Sequence, residues 1–134
     1  MIPTPPASPA ASQATGTHLE HLQGVWKAIA GRRAARFRIT EMRFTFEFVG
    51  GEVYEGTFRL DTSACPARMD MRIEEGPGAH KGQLAMCIYH VDGDVLRWCP
   101  TVPGAGYRLT RFPSVDDDHY YSLVFRRDGQ PQPQ

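Results

Sequence analysis

From residue 43 the chain reads Arg-Phe-Thr-Phe-Glu-Phe, so that Phe44, Phe46 and Phe48 alternate one for one with Arg43, Thr45 and Glu47. Period two is the repeat of an extended strand, whose successive side chains point to opposite faces; on a helix it would scatter the three rings around the axis. After Gly50-Gly51 the pattern resumes, with Tyr54, Gly56, Phe58 and Leu60 set against Val53, Glu55, Thr57 and Arg59. This pair of segments predicts a hairpin with one apolar face. Val25–Ile29 and Phe37–Ile39 carry the alternation upstream, and Met69, Met71 and Ile73 carry it downstream against Asp70 and Arg72. A Gly76-Pro77-Gly78 loop then leads into the more uniformly apolar Leu84–Val91, which Asp92-Gly93-Asp94 turns into Val95–Cys99. Two further segments, Tyr107–Arg111 and Tyr120–Arg127, bring the expectation to about nine strands, and a meander of that many short strands hides its edges by closing on itself. The expected fold class is therefore all-β, a single small antiparallel barrel.

The helical signal lies ahead of the first strand. Thr17 is placed to cap a turn through His18-Leu19-Glu20-His21-Leu22, with Glu20 three positions on as in a capping box. Residues 1–17, rich in Pro, Ala, Ser and Thr, carry no basic residue and no apolar run, so they read as a disordered tail and not as a secretory signal. The Pro- and Gln-rich residues 128–134 read as a second tail, leaving a folded body over 18–127. One core is all that 134 residues comfortably support. Fifteen Lys and Arg balance fifteen Asp and Glu, which leaves no field to draw the protein onto nucleic acid or an anionic membrane. The three cysteines, Cys65, Cys87 and Cys99, cannot all pair within the chain and show no CxxC spacing, which favours a reducing cytoplasm over a disulfide scaffold.

Leu22-Gln23-Gly24-Val25-Trp26 carries the Gly-x-Trp that lipocalins have at the entry to their first strand, behind a similar short helical turn. To it are added Tyr54-Glu55-Gly56-Thr57-Phe58-Arg59-Leu60-Asp61, Ile73-Glu74-Glu75-Gly76-Pro77, the run Ile88 to Cys99 through Asp92-Gly93-Asp94, and a terminal Leu123-Val124-Phe125-Arg126-Arg127. In this order, over about 20–127, the set resembles a family of small uncharacterised bacterial domains, abundant in planctomycetes and expected to be lipocalin-like barrels. The resemblance implies the fold and no agreed activity. The chain departs from that pattern in its short Gly31-Arg32-Arg33-Ala34 link and in His90, where an acidic residue is usual.

Function is therefore sought among the histidines. Counting strands in a meander brings His90, at the end of its strand, to the same barrel end as His18 and His21, and sends His80 to the other. If Tyr107–Arg111 is a strand, His119 and Asp116–Asp118 join the first group. Two histidines at i and i+3 plus a third from a strand are the ligand supply of an open catalytic site for a divalent metal, zinc first, that activates water. The corresponding function is a metal-dependent hydrolase of esters or phosphoesters, with His18, His21 and His90 as ligands and Glu20 and Asp92 as catalytic or supporting carboxylates, Asp94 being a further choice. Set against this, an i, i+3 pair beside a tail is ordinarily solvent-exposed, and a strand histidine is more often satisfied by its neighbours than a ligand. Cys87 and Cys99 are placed to face each other across their hairpin, although packing is the commoner role for such residues. The alternative function is a non-enzymatic barrel binding a small apolar ligand in a pocket lined by Phe46, Tyr54, Phe58, Met71 and Met86.

Overall fold

The computed structural model describes residues 16–128. A short helix, α1 (16–22), precedes eight strands: β1 (Gly24–Ala30), β2 (Ala35–Thr40), β3 (Arg43–Phe48), β4 (Val53–Asp61), β5 (Ala67–Glu75), β6 (Leu84–Asp92), β7 (Val95–Pro100) and β8 (Leu123–Arg127). Each strand pairs antiparallel with the next and β8 returns to β1, so the sheet is a closed barrel of the lipocalin-like kind. Among the described residues no helix is long and apolar enough to cross a membrane.

Alternation decides what the barrel encloses. In β2 every second residue, Ala35, Phe37 and Ile39, is buried, and in β3 Phe44, Phe46 and Phe48 are. Phe37 lies at the centre, with ring centroids 5.4 Å from Phe46, 5.2 Å from Trp98 and 5.7 Å from Phe125, all edge-on. Gly56 is required where β4 bulges against β5, because a Cβ there would lie 1.8 Å from the carbonyl oxygen of Arg72.

Because the strands form an up-and-down meander, one end of the barrel carries α1 and the β2–β3, β4–β5 and β6–β7 turns. The other carries the β1–β2, β3–β4 and β5–β6 connections and the long segment 101–122. The α1 end is closed. Leu22 is fully buried, the Trp26 indole N–H donates to its carbonyl at 2.9 Å, and Gln23 donates to the carbonyls of Leu19 and Glu41. Arg127 lies over the Trp26 ring at 4.3 Å and donates to the carbonyls of Gln23 at 2.5 Å and His21 at 2.7 Å. This packing ties β8 to α1.

Four expectations are corrected. The helix spans 16–22, which places Thr17 inside it and not at its cap. Residues 16 and 17 belong to this helix, and the Asp128 N–H donates to the Val25 carbonyl at 2.7 Å; the rest of both tails lies outside the described residues. Tyr107–Arg111 is not a strand, and β8 begins at Leu123, not Tyr120. Eight strands already close the barrel, so no edge is left for a ninth to pair with. Segment 101–122 instead straps the outside of β5–β7. There Arg108 donates to Asp70 at 2.5 Å and to the Cys87 carbonyl at 3.0 Å, and Arg97 donates to the Pro113 carbonyl at 2.8 Å. Finally, Cys99 pairs with Ile88 while Cys87 pairs with Pro100, so the two thiols lie on opposite faces of the sheet. Cys87 belongs to the interior cluster; Cys99 and Ile88 are buried outside it.

Candidate functional site

The three buried phenylalanines of β3 form one wall of a space at the end away from α1. A cavity of about 220 Å³ opens there. Its walls are the inward side chains of Phe44, Phe46 and Phe48 from β3, Tyr54 from β4, and Met71 and Ile73 from β5, with Ala85 from β6 and Trp98 and Pro100 from β7 completing the circle. Phe46 is the hinge of this wall, with ring centroids 4.8 Å from Trp98 and 4.9 Å from Phe48. The Trp98 indole N–H is buried without a hydrogen-bond partner, facing the Cys87 thiol without reaching bonding geometry.

The other polar groups of the described lining stand at the mouth. The β5–β6 connection brings His80 over Tyr54, the rings stacked at 5.8 Å and the Tyr54 hydroxyl 3.0 Å from His80 Nδ1. Burial, reinforced by the negative charge of Glu52, raises the Tyr54 pKa, so the phenol keeps its proton. From segment 101–122 come Thr101, His119, Tyr120 and Tyr121. Thr101 is already committed to the strap, its Oγ1 lying 3.1 Å from the carbonyls of both Met86 and Tyr107. Around the rim, Arg33 lies 3.9 Å over the Phe48 ring and pairs with Glu52 at 3.4 Å, while Arg32 lies 4.6 Å over the Tyr121 ring.

Of the five pocket residues expected from the sequence, Phe46, Tyr54 and Met71 line the cavity. Phe58 does not: it sits farther along β4 toward α1, opposite Met71, and fills the core at 2% exposure. Met86 does not either, because Ala85 and Cys87 on either side of it face inward, which turns Met86 outward beneath the strap. His80 and His119, absent from the expected site, both line the mouth. His119 was assigned to the α1 end only through the strand at 107–111, and without that strand it lines the same cavity as His80.

The topology places His18, His21 and His90 at the α1 end, as strand counting leads one to expect. His18 has its pKa lowered first by partial burial and then by the charges of His21 and His90, and its Nδ1 is hydrogen-bonded to the Tyr89 hydroxyl at 2.8 Å. His90, however, is exposed, lying between the inward-facing Tyr89 and Val91 and so on the outside of the barrel. Glu20, Asp92 and Asp94 are exposed as well. Among the described residues no three His, Cys, Asp or Glu side chains are grouped so as to hold a metal ion. Nor do Cys87 and Cys99 offer a nucleophile: burial drives the Cys87 thiol pKa well up and that of Cys99 up to about 12.

Comparisons with protein-family models, with curated proteins and with solved structures find no match to the chain.

Proposed function

We propose that the protein is a non-enzymatic binder of a small, largely apolar ligand held in the open end of its barrel. The observation that carries this reading is the aromatic cavity of about 220 Å³ with hydrogen-bonding groups at its mouth. An apolar concavity with a few convergent polar groups is the usual form of a small-molecule site, and barrels of eight strands are just wide enough to hold one such ligand. Engineered apolar cavities of about 150 Å³ already take up benzene, so this one suits a molecule of one or two fused rings. The affiliation suggested by the sequence resemblance accords with this reading without supplying a ligand.

The test is a titration with naphthalene, followed by tryptophan fluorescence. Binding that weakens in Phe46→Ala and Tyr54→Ala, and not in His21→Ala, supports the reading; no saturable binding to the wild type overturns it.

A metal-dependent hydrolase at the α1 end is the second reading. It draws on the placing of His18, His21 and His90 at one barrel end, with His18 Nε2 left for an ion by the Nδ1 bond to Tyr89. It ranks second because His90 faces outward. Elemental analysis of untagged protein after dialysis separates the two: about one zinc per chain, lost in His21→Ala, is what the hydrolase requires.

A further inference from the structure

Resting on the binding reading above, we infer that the ligand is a compact aromatic acid, seated rings first with its carboxylate at the mouth between His80 and His119. The cavity wall leaves this as the complementary charge. Its deep part is apolar, with Phe46, Met71 and Trp98 offering no free acceptor, and the Trp98 N–H there is itself buried. A charged or strongly hydrated head placed inside would lose its hydration without compensation. The head must therefore stay at the mouth.

What the mouth presents is asymmetric in charge. Among the described residues no lining side chain is a carboxylate, whereas two are imidazoles, His80 from the β5–β6 connection and His119 from segment 101–122. The His80 Nδ1 is taken by the Tyr54 hydroxyl, which leaves its Nε2 edge for a ligand. Among the described residues the His119 ring has no hydrogen-bond partner, only its backbone N–H being held, by Asp117. The carboxylates that come near are engaged already. Glu52 is paired with Arg33, and Asp117 accepts from the backbone N–H groups of His119 and Tyr120 at 2.8 Å and 2.9 Å. An anionic head thus finds donors on two sides, while a cationic head finds no unoccupied carboxylate in the wall. Hydrogen bonds from imidazole to carboxylate are charge-assisted and markedly stronger than those to a neutral amide.

Three probes of one ring system and nearly one size test this: 2-naphthoate, 2-naphthamide and 2-naphthylmethylammonium, titrated at pH 6 into the full chain and into His80→Gln/His119→Gln. The expected result is naphthoate binding about tenfold more tightly than naphthamide, the ammonium weakest of all, and the preference for naphthoate falling to within about twofold in the double variant. Naphthamide binding as tightly as naphthoate, or the ammonium binding best, overturns the assignment of an acid and leaves the binding reading standing. Failure of all three to bind overturns both. The wild-type ranking decides the matter even if the double variant does not fold.

Discussion

Arg127 is where the closed end of the barrel is most exposed to a single substitution. Its guanidinium donates to two carbonyls of the α1–β1 junction, those of Gln23 and His21, stacks on Trp26, and reaches the β6–β7 turn at Asp94. Each short bond to a carbonyl contributes about 1 kcal/mol net, and the stacking about another 1 kcal/mol. The Asp94 contact adds little, since that side chain is 71% exposed and the ion pair is screened by solvent. Arg127→Met keeps the apolar stem and loses the rest, about 3 kcal/mol in all, which for a domain of this size lowers Tm by roughly 10–15 °C. Arg127→Lys retains the charge and at most one carbonyl bond, and recovers only about 1 kcal/mol of the loss. Urea unfolding followed by tryptophan fluorescence measures all three proteins. If Lys restores full stability, charge alone holds this end and the geometric argument is wrong; if Met costs less than about 0.5 kcal/mol, the latch contributes nothing.

Three further outcomes follow from the same structure. Gly56→Ala forces backbone apart at Arg72 and costs about 2–4 kcal/mol, measured by the same unfolding assay, against a few tenths for Gly78→Ala, where a Cβ meets nothing within 4 Å. The folded-state pKa of His18 lies below its ordinary value of 6.5, so the unfolded chain binds more protons as acid is added; stability from this group is complete above 6.5 and is lost as pH falls below it. His18→Gln flattens that acid limb of the stability profile, and an unchanged limb assigns the acid sensitivity elsewhere. Of the three thiols, exposed Cys65 reacts at once with Ellman's reagent under native conditions, while Cys87 and Cys99 react only as the protein unfolds, and two fast thiols would contradict the burial described.

Most of the barrel was legible because alternation and turn residues report directly on it. Each of the eight strands carries its own apolar face or is bounded by a turn such as Asp92-Gly93-Asp94, and the sequential pairing follows from short connections. The sequence is less informative where a side chain's role depends on what covers it. Tyr107–Arg111 alternates like a strand, yet its partner would have had to be an edge that closure removes. That one segment carried His119 to the wrong end, which hid the mouth formed with His80. Met86 and Cys99 were apolar in the right places, but segment 101–122 buries part of the outer face, so apolarity there no longer means inward. Parity within β6 was the signal that would have placed Met86, since Tyr89 and Met86 cannot both face in. That His18, His21 and His90 share one barrel end was readable by counting strands, and the outward turn of His90, which keeps them from forming a group, was readable from the same parity.

The central claim, that the open end of the barrel receives a ligand, is tested most directly by the two tryptophan indole N–H signals in a ¹H–¹⁵N spectrum. Trp98 lines the cavity with an unpartnered N–H, and Trp26, bonded to Leu22, lies at the closed end. Addition of naphthalene is expected to shift the Trp98 signal along a saturable curve and leave that of Trp26 in place; a Trp26 signal that moves while Trp98 stays still, or two signals that ignore the ligand at saturation, would contradict the account.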